Sequence, residues 1–79
     1  GVEGTYKMSD GSKMALDSSG TATITIPSST KAATTQYTVD GNKVTLLDPS
    51  TGGTLITFTR KGNTLTSTEG TQTEVWVKQ

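Results

Sequence analysis

The side chains that most often do chemistry are either missing from this chain or scattered along it. There is no histidine and no cysteine. That removes the usual general base, the usual thiol nucleophile and the ordinary ligands of zinc. Seven acids remain: Glu3, Asp10, Asp17, Asp40, Asp48, Glu69 and Glu74. Asp10, Asp40, Asp48 and Glu69 fall in turn-like stretches, with Asp17 at the edge of another, where acids are expected for local hydrogen bonds. The stretches DGSKMALD (10–17) and VDGNKV (39–44) share letters with calcium loops but lack the ligand spacing and the terminal Glu. In the register set out below no two acids face each other, and nothing arranges the serines and lysines as a dyad. The expectation is a non-enzymatic protein with no catalytic residue, cofactor or metal.

The elements that position these residues read as strands. Threonine is the commonest residue, at eighteen, while alanine and leucine are sparse; β-branched side chains suit a pleated surface and resist helix. Alternating runs are broken by Gly, Asp, Asn and Ser about every 8 to 12 residues, the rhythm of an all-β barrel or sandwich. Eight strands are predicted, at 3–8, 13–17, 21–26, 34–39, 43–47, 54–59, 64–68 and 72–78. A one-residue slip would turn every apolar side chain outward, so the register that each turn sets is decisive. A hairpin centred on Gly41-Asn42 opposes Val39 to Val44 and Tyr37 to Leu46. The Asp10-Gly11 turn gives Tyr6–Leu16 and Met8–Met14, and the Ser18-Ser19-Gly20 loop gives Leu16–Ala22 and Met14–Ile24. The 48–53 loop gives Leu46–Ile56 and Val44–Phe58. A turn at Lys61-Gly62 gives Phe58–Leu65, and one at Glu69-Gly70-Thr71 gives Leu65–Val75. The connection at 27–34 would bring Ile24 to Tyr37 and Ala22 to Val39.

These registers point one apolar set inward: Tyr6, Met8, Met14, Leu16, Ala22, Ile24, Ile26, Tyr37, Val39, Val44, Leu46, Ile56, Phe58, Leu65, Val75 and Val77. An eight-stranded up-and-down barrel has an interior just wide enough to be filled by side chains or to hold one small ligand. The predicted fold is an antiparallel meander closed as a small filled barrel, with a two-sheet sandwich as the alternative. Closure would remove the exposed edges that make small sheets sticky, and a monomer is expected. On the outer wall the same registers align Ala15, Thr23, Thr38, Thr45, Thr57, Thr66 and Glu74. Threonine belts of this kind can meet ice or glycan, although threonine is also simply a soluble strand former. Three large apolar residues break the outward pattern, Leu47 facing Leu55 beside the 48–53 loop and Trp76 near the opposite end. They are the candidate binding residues, because exposed Trp is enriched at binding sites.

Length and charge limit the remaining function classes. Seventy-nine residues make one domain, 1–79, with a marginal core. Seven basic side chains balance the seven acids, and only Arg60-Lys61 are adjacent. No basic stripe marks a nucleic-acid binder. No apolar run approaches the roughly 18 residues of a membrane span. Residues 1–8 lack the apolar core of a signal peptide, so for an exported protein the signal would lie outside this segment, with Gly1 at a domain edge.

GTYKMSDGSKMALDSSGTATITI, followed by YTVDGNKVTLLDPSTGGTLITFTRKGNTLT, is similar to small lipocalin-like domains of bacterial exported lipoproteins, a family of unassigned function. The likeness lies in the opening Gly-Thr-Tyr, the Asp-Gly-Ser and Ser-Gly-Thr turns, and the Tyr-Thr-Val-Asp-Gly-Asn-Lys hairpin. It covers most of the chain outside residues 27–36. It implies an antiparallel barrel in the bacterial envelope or secreted space, and it carries no functional residue with it. Full lipocalins are about twice this long and keep a roomy cavity. The expected function is therefore a binding or interaction module acting through its outer surface on a protein or glycan. The alternatives are a carrier of a small hydrophobic ligand, with room beside Tyr6, Ala22 and Tyr37, and a structural spacer.

Overall fold

The computed structural model describes residues 1–69 and 71–79, which form eight strands and no helix: β1 (Gly4–Met8), β2 (Lys13–Leu16), β3 (Thr21–Thr25), β4 (Ala33–Asp40), β5 (Lys43–Leu47), β6 (Thr54–Lys61), β7 (Thr64–Glu69) and β8 (Gln72–Lys78). Each strand is antiparallel to the next, and β8 pairs back onto β1 through Met8–Trp76 and Tyr6–Lys78. The sheet is a closed barrel, not a sandwich, and presents no free edge. Among the described residues no helix is long and apolar enough to cross a membrane.

Turn chemistry sets the ladder. The Gly41-Asn42 hairpin pairs Val39 with Val44 and Tyr37 with Leu46, as expected. Only Gly41, at φ 59°, takes a positive angle, the pattern of a two-residue turn with glycine first. The same Gly-Asn pair recurs at 62–63, where Gly62 has φ 61°. It moves the β6–β7 turn one residue past its expected place, so Leu65 pairs with Arg60 and not with Phe58. The β2–β3 ladder keeps Met14–Ile24 and Leu16–Ala22. At β1–β2 a three-residue loop replaces the tighter expected turn, with the Met8 N–H donating to the Ser12 carbonyl at 3.0 Å. Tyr6 therefore meets Met14, and Gly4 meets Leu16.

These displacements are even, and an even shift leaves every side chain on its face. The shift at β7–β8 is odd. Leu65 pairs with Trp76, and Thr66 with Val75. Trp76 is consequently buried, at 4% exposure, while Val75 and Val77 point outward at 44% and 47%. The expected outward Trp76 is thus corrected, and the two valines leave the core. The turn responsible includes Gly70, which lies outside the described residues.

Two further members of the expected core are also exposed. The β3–β4 ladder pairs Ala22 with Thr35 and Ile24 with Ala33. Relative to the expected register, β4 is displaced by four residues. The Tyr37 N–H donates to the Gly20 carbonyl at 2.9 Å, so Val39 runs past the end of β3 and is 47% exposed. Ile26 lies beyond the other end of β3 and is also exposed. The observed core is Val2, Tyr6, Met14, Leu16, Ala22, Tyr37, Val44, Leu46, Phe58, Leu65 and Trp76, with Met8, Ile24 and Ile56 packed against it.

In an up-and-down barrel alternate turns gather at opposite ends. The β2–β3, β4–β5 and β6–β7 turns share one end with the N-terminal residues, and that end is closed. Val2 is buried there. The Tyr6 hydroxyl donates to the Val2 carbonyl at 2.7 Å. Arg60 and Lys78 both donate to the Gly1 carbonyl, at 3.1 and 3.2 Å. The Tyr37 hydroxyl donates to the Asp17 carbonyl. Burial raises the pKa of both tyrosines.

Candidate functional site

The opposite end, with the β1–β2, β3–β4, β5–β6 and β7–β8 turns, holds an open cup of about 420 Å³. Met8, Ile24, Ile26, Leu55 and Ile56 form its apolar rim. Met14, Leu46, Phe58 and Trp76 form its floor. Its volume falls within the usual few hundred cubic ångströms of small-molecule sites.

A bulge shapes the rim. Leu46 pairs with Ile56, but Leu47 pairs with Thr54, so Leu55 has no partner of its own across the ladder. Bulges at barrel rims re-aim a side chain. Here Leu55 joins the lining of the cup, 51% exposed, and no longer stands opposite Leu47. Leu47 is half-buried, borders a separate depression with Thr21, Thr35 and Pro49, and accepts a hydrogen bond on its carbonyl from the Thr35 hydroxyl. Of the three candidate residues read from the sequence, Leu55 and Trp76 meet at the cup, as rim and floor, and Leu47 lies outside it. The rim residues Met8, Ile24, Ile26 and Ile56 belong to the expected inward set, and the structure gathers them at one end of the barrel. The signal for it was the fixed alternation of turns, which sends their strand termini to the same side.

Three polar side chains also line the cup. Ser12 is buried. Asp10 sits on the β1–β2 loop, accepting the Ser12 N–H at 2.8 Å. Hydrogen bonds from Ser12 hold the Asp10 carboxyl below its ordinary pKa. Glu74 faces inward with Trp76 on alternate positions of β8, is half-buried, and accepts the indole N–H at 3.1 Å. Glu74 is therefore absent from the outer threonine belt. That belt is also staggered: Thr38–Thr45–Thr57 form one row, while Thr59–Thr66 continue on another. The room expected beside Tyr6, Ala22 and Tyr37 is filled, since these are 1%, 0% and 8% exposed. Among the described residues no three acids come together as a group that could hold a metal ion.

No family model matches this chain, and neither the curated proteins nor the solved structures contain a significant match.

Proposed function

We propose that this domain is a non-enzymatic binding module that takes a small apolar group into the cup at the open end of its barrel. The observation that carries the reading is the contrast between the ends. One is sealed by Val2 and three side-chain hydrogen bonds to backbone carbonyls. The other leaves Ile26 and Leu55 45% and 51% exposed around an apolar hollow. Concave apolar sites with a few polar groups are the usual form of small-molecule pockets. The likeness of the turns to lipocalin-like exported domains supports an extracytoplasmic setting in the bacterial envelope or secreted space as part of the same proposal.

The test uses the single tryptophan, which lies in the floor of the cup. Titration with hexanol is expected to change Trp76 emission saturably and to shift the NMR methyl signals of Met8, Ile24, Ile26 and Ile56 more than those of Val39 or Val77. Leu55→Ser, at a bulged and exposed position, should preserve the fold within about 0.5 kcal/mol and weaken binding. A linear, unsaturable response with shifts spread over the whole molecule would end this reading.

A second reading keeps the outer wall as the contact surface and rests on Val75 and Val77, which stand exposed on β8 beside Lys7 and Thr73. It would be favoured by a protein partner that shifts those valine signals and leaves the cup methyl groups unmoved.

A further inference from the structure

Resting on the cup as the binding site, we infer that its ligand is a small free aliphatic amine, with the chain against the apolar floor and the ammonium at the carboxylates of Glu74 and Asp10. Both charged residues that line the cup are acidic, and no basic residue is among its described lining residues. By contrast, the two cations that turn inward at the closed end, Arg60 and Lys78, are engaged with the Gly1 carbonyl. Glu74 is half-buried, and one of its oxygens accepts the Trp76 indole N–H. The acceptor capacity of an ionised carboxylate extends to about four lone-pair sites, so the bond to the indole leaves part of it for a ligand in the hollow that Glu74 lines. Both carboxylates line the hollow, and a cation arriving with the ligand would make a charge-assisted hydrogen bond to them. A carboxylate ligand would meet two like charges instead, and an alcohol would gain only a neutral hydrogen bond.

The occupant is a free amine and not a lysine of a protein partner because of the order of the groups along the cup. Asp10 stands on the rim loop, and Glu74 lies two residues nearer the open end than Trp76, so both carboxylates are closer to the mouth than the apolar floor is. A free alkylamine can enter chain first and leave its ammonium at the mouth, whereas a lysine is tethered at the other end of its chain and would enter ammonium first, with its charge against the floor.

Hexylammonium, hexanol and hexanoate share a chain and differ in the head group. Their affinities are to be compared by Trp76 emission and methyl shifts on the intact domain. Hexylammonium is expected to bind about fivefold tighter than hexanol, and hexanoate more weakly than either. In Glu74→Gln the amide oxygen can still accept the indole N–H, and the ratio of hexylammonium to hexanol affinity should fall toward one. Asp10→Asn, which can still accept the Ser12 N–H, should lower the ratio by a smaller factor. Equal affinity for all three heads would overturn the amine assignment while leaving the cup as an apolar site. A preference that survives both substitutions would overturn it too, as would Nα-acetyl-lysine N-methylamide, with its free ε-ammonium, binding as tightly as hexylammonium. Failure of all three probes to bind saturably would instead remove the underlying site.

Discussion

Replacing Trp76 by alanine tests the register of the last strand, on which the position of the cup depends. The indole is 4% exposed and lies between Met8 and Leu65 in the ladder. Truncating a buried Trp costs about 3–5 kcal/mol. At about 0.05–0.15 kcal/mol per residue the whole domain holds roughly 4–12 kcal/mol. Trp76→Ala therefore removes a large share of the total. With a urea slope of about 1 kcal/mol/M for so small a protein, the midpoint falls by about 3–5 M. Val75→Thr and Val77→Thr sit on exposed wall positions and should each change stability by no more than about 0.5 kcal/mol. Urea unfolding followed by far-UV circular dichroism reads all three. Trp76→Phe keeps a ring in place and removes the hydrogen bond to Glu74; it should lose about 1–2 kcal/mol and remain folded. In the unmodified protein Trp76 emission should be blue-shifted and resistant to acrylamide. A one-residue displacement of β8 inverts every term in this list. Losses at Val75 and Val77 larger than that at Trp76→Phe, or a red, readily quenched emission from the folded domain, would refute the register and with it the floor of the cup.

The turns and the acids give further expectations. Gly41→Ala and Gly62→Ala place a Cβ at positive φ, although nothing lies within 4 Å of either, and each should lower stability by about 1–2 kcal/mol in urea unfolding; no loss at either site would contradict the turn geometry. Asp17 accepts the Ser19 hydroxyl at 2.7 Å and the Thr21 N–H at 2.9 Å, and these bonds lower its pKa from the ordinary 3.8. Its contribution is therefore complete above that ordinary value and fades as pH falls through the lowered one, so Asp17→Asn should flatten the acid side of the stability profile between about pH 5 and pH 2. An unchanged profile would show that the carboxylate gains nothing on folding.

Most of the architecture was legible because hairpin turns carry their own instructions. All eight strands fall within two residues of their expected bounds, and the ladders at β2–β3, β4–β5 and most of β5–β6 have the expected partners. Where the pairing of a ladder was displaced by an even number of residues, the faces survived. That is why Tyr6, Met14, Phe58 and Leu65 are buried although their expected partners differ. Two features escaped for physical reasons. The β7–β8 turn has a single glycine, with no Gly-Asn pair to fix its centre, and one residue of error exchanged Trp76 for Val75 and Val77. The bulge at Leu55 breaks no alternation visible in TLITFTRK, because threonine and leucine are both acceptable strand residues. The reuse of Gly-Asn at 41–42 and 62–63, by contrast, was present in the sequence and would have corrected the β6–β7 ladder.

The charges on inward positions explain why one end is a plug and the other a cup. In a filled barrel an inward charged side chain is tolerable only near a strand end, where it can reach a partner or water. At the closed end Arg60, Lys78 and the Tyr6 hydroxyl reach the carbonyls of Gly1 and Val2. Donors there meet acceptors from the chain itself, and Val2 fills what is left. The open end reverses the polarity. Its charged lining groups, inward Glu74 and the loop residue Asp10, are acceptors, and the donors they meet are the Trp76 indole N–H and the Ser12 backbone and side chain. A backbone segment folded over this end could offer N–H groups to the carboxylates, but the long β3–β4 connection turns on itself through Ser29 and Lys31. The acceptor capacity that the closed end uses up internally thus remains available at the cup. An apolar body with a donor head is the complement to both of its surfaces.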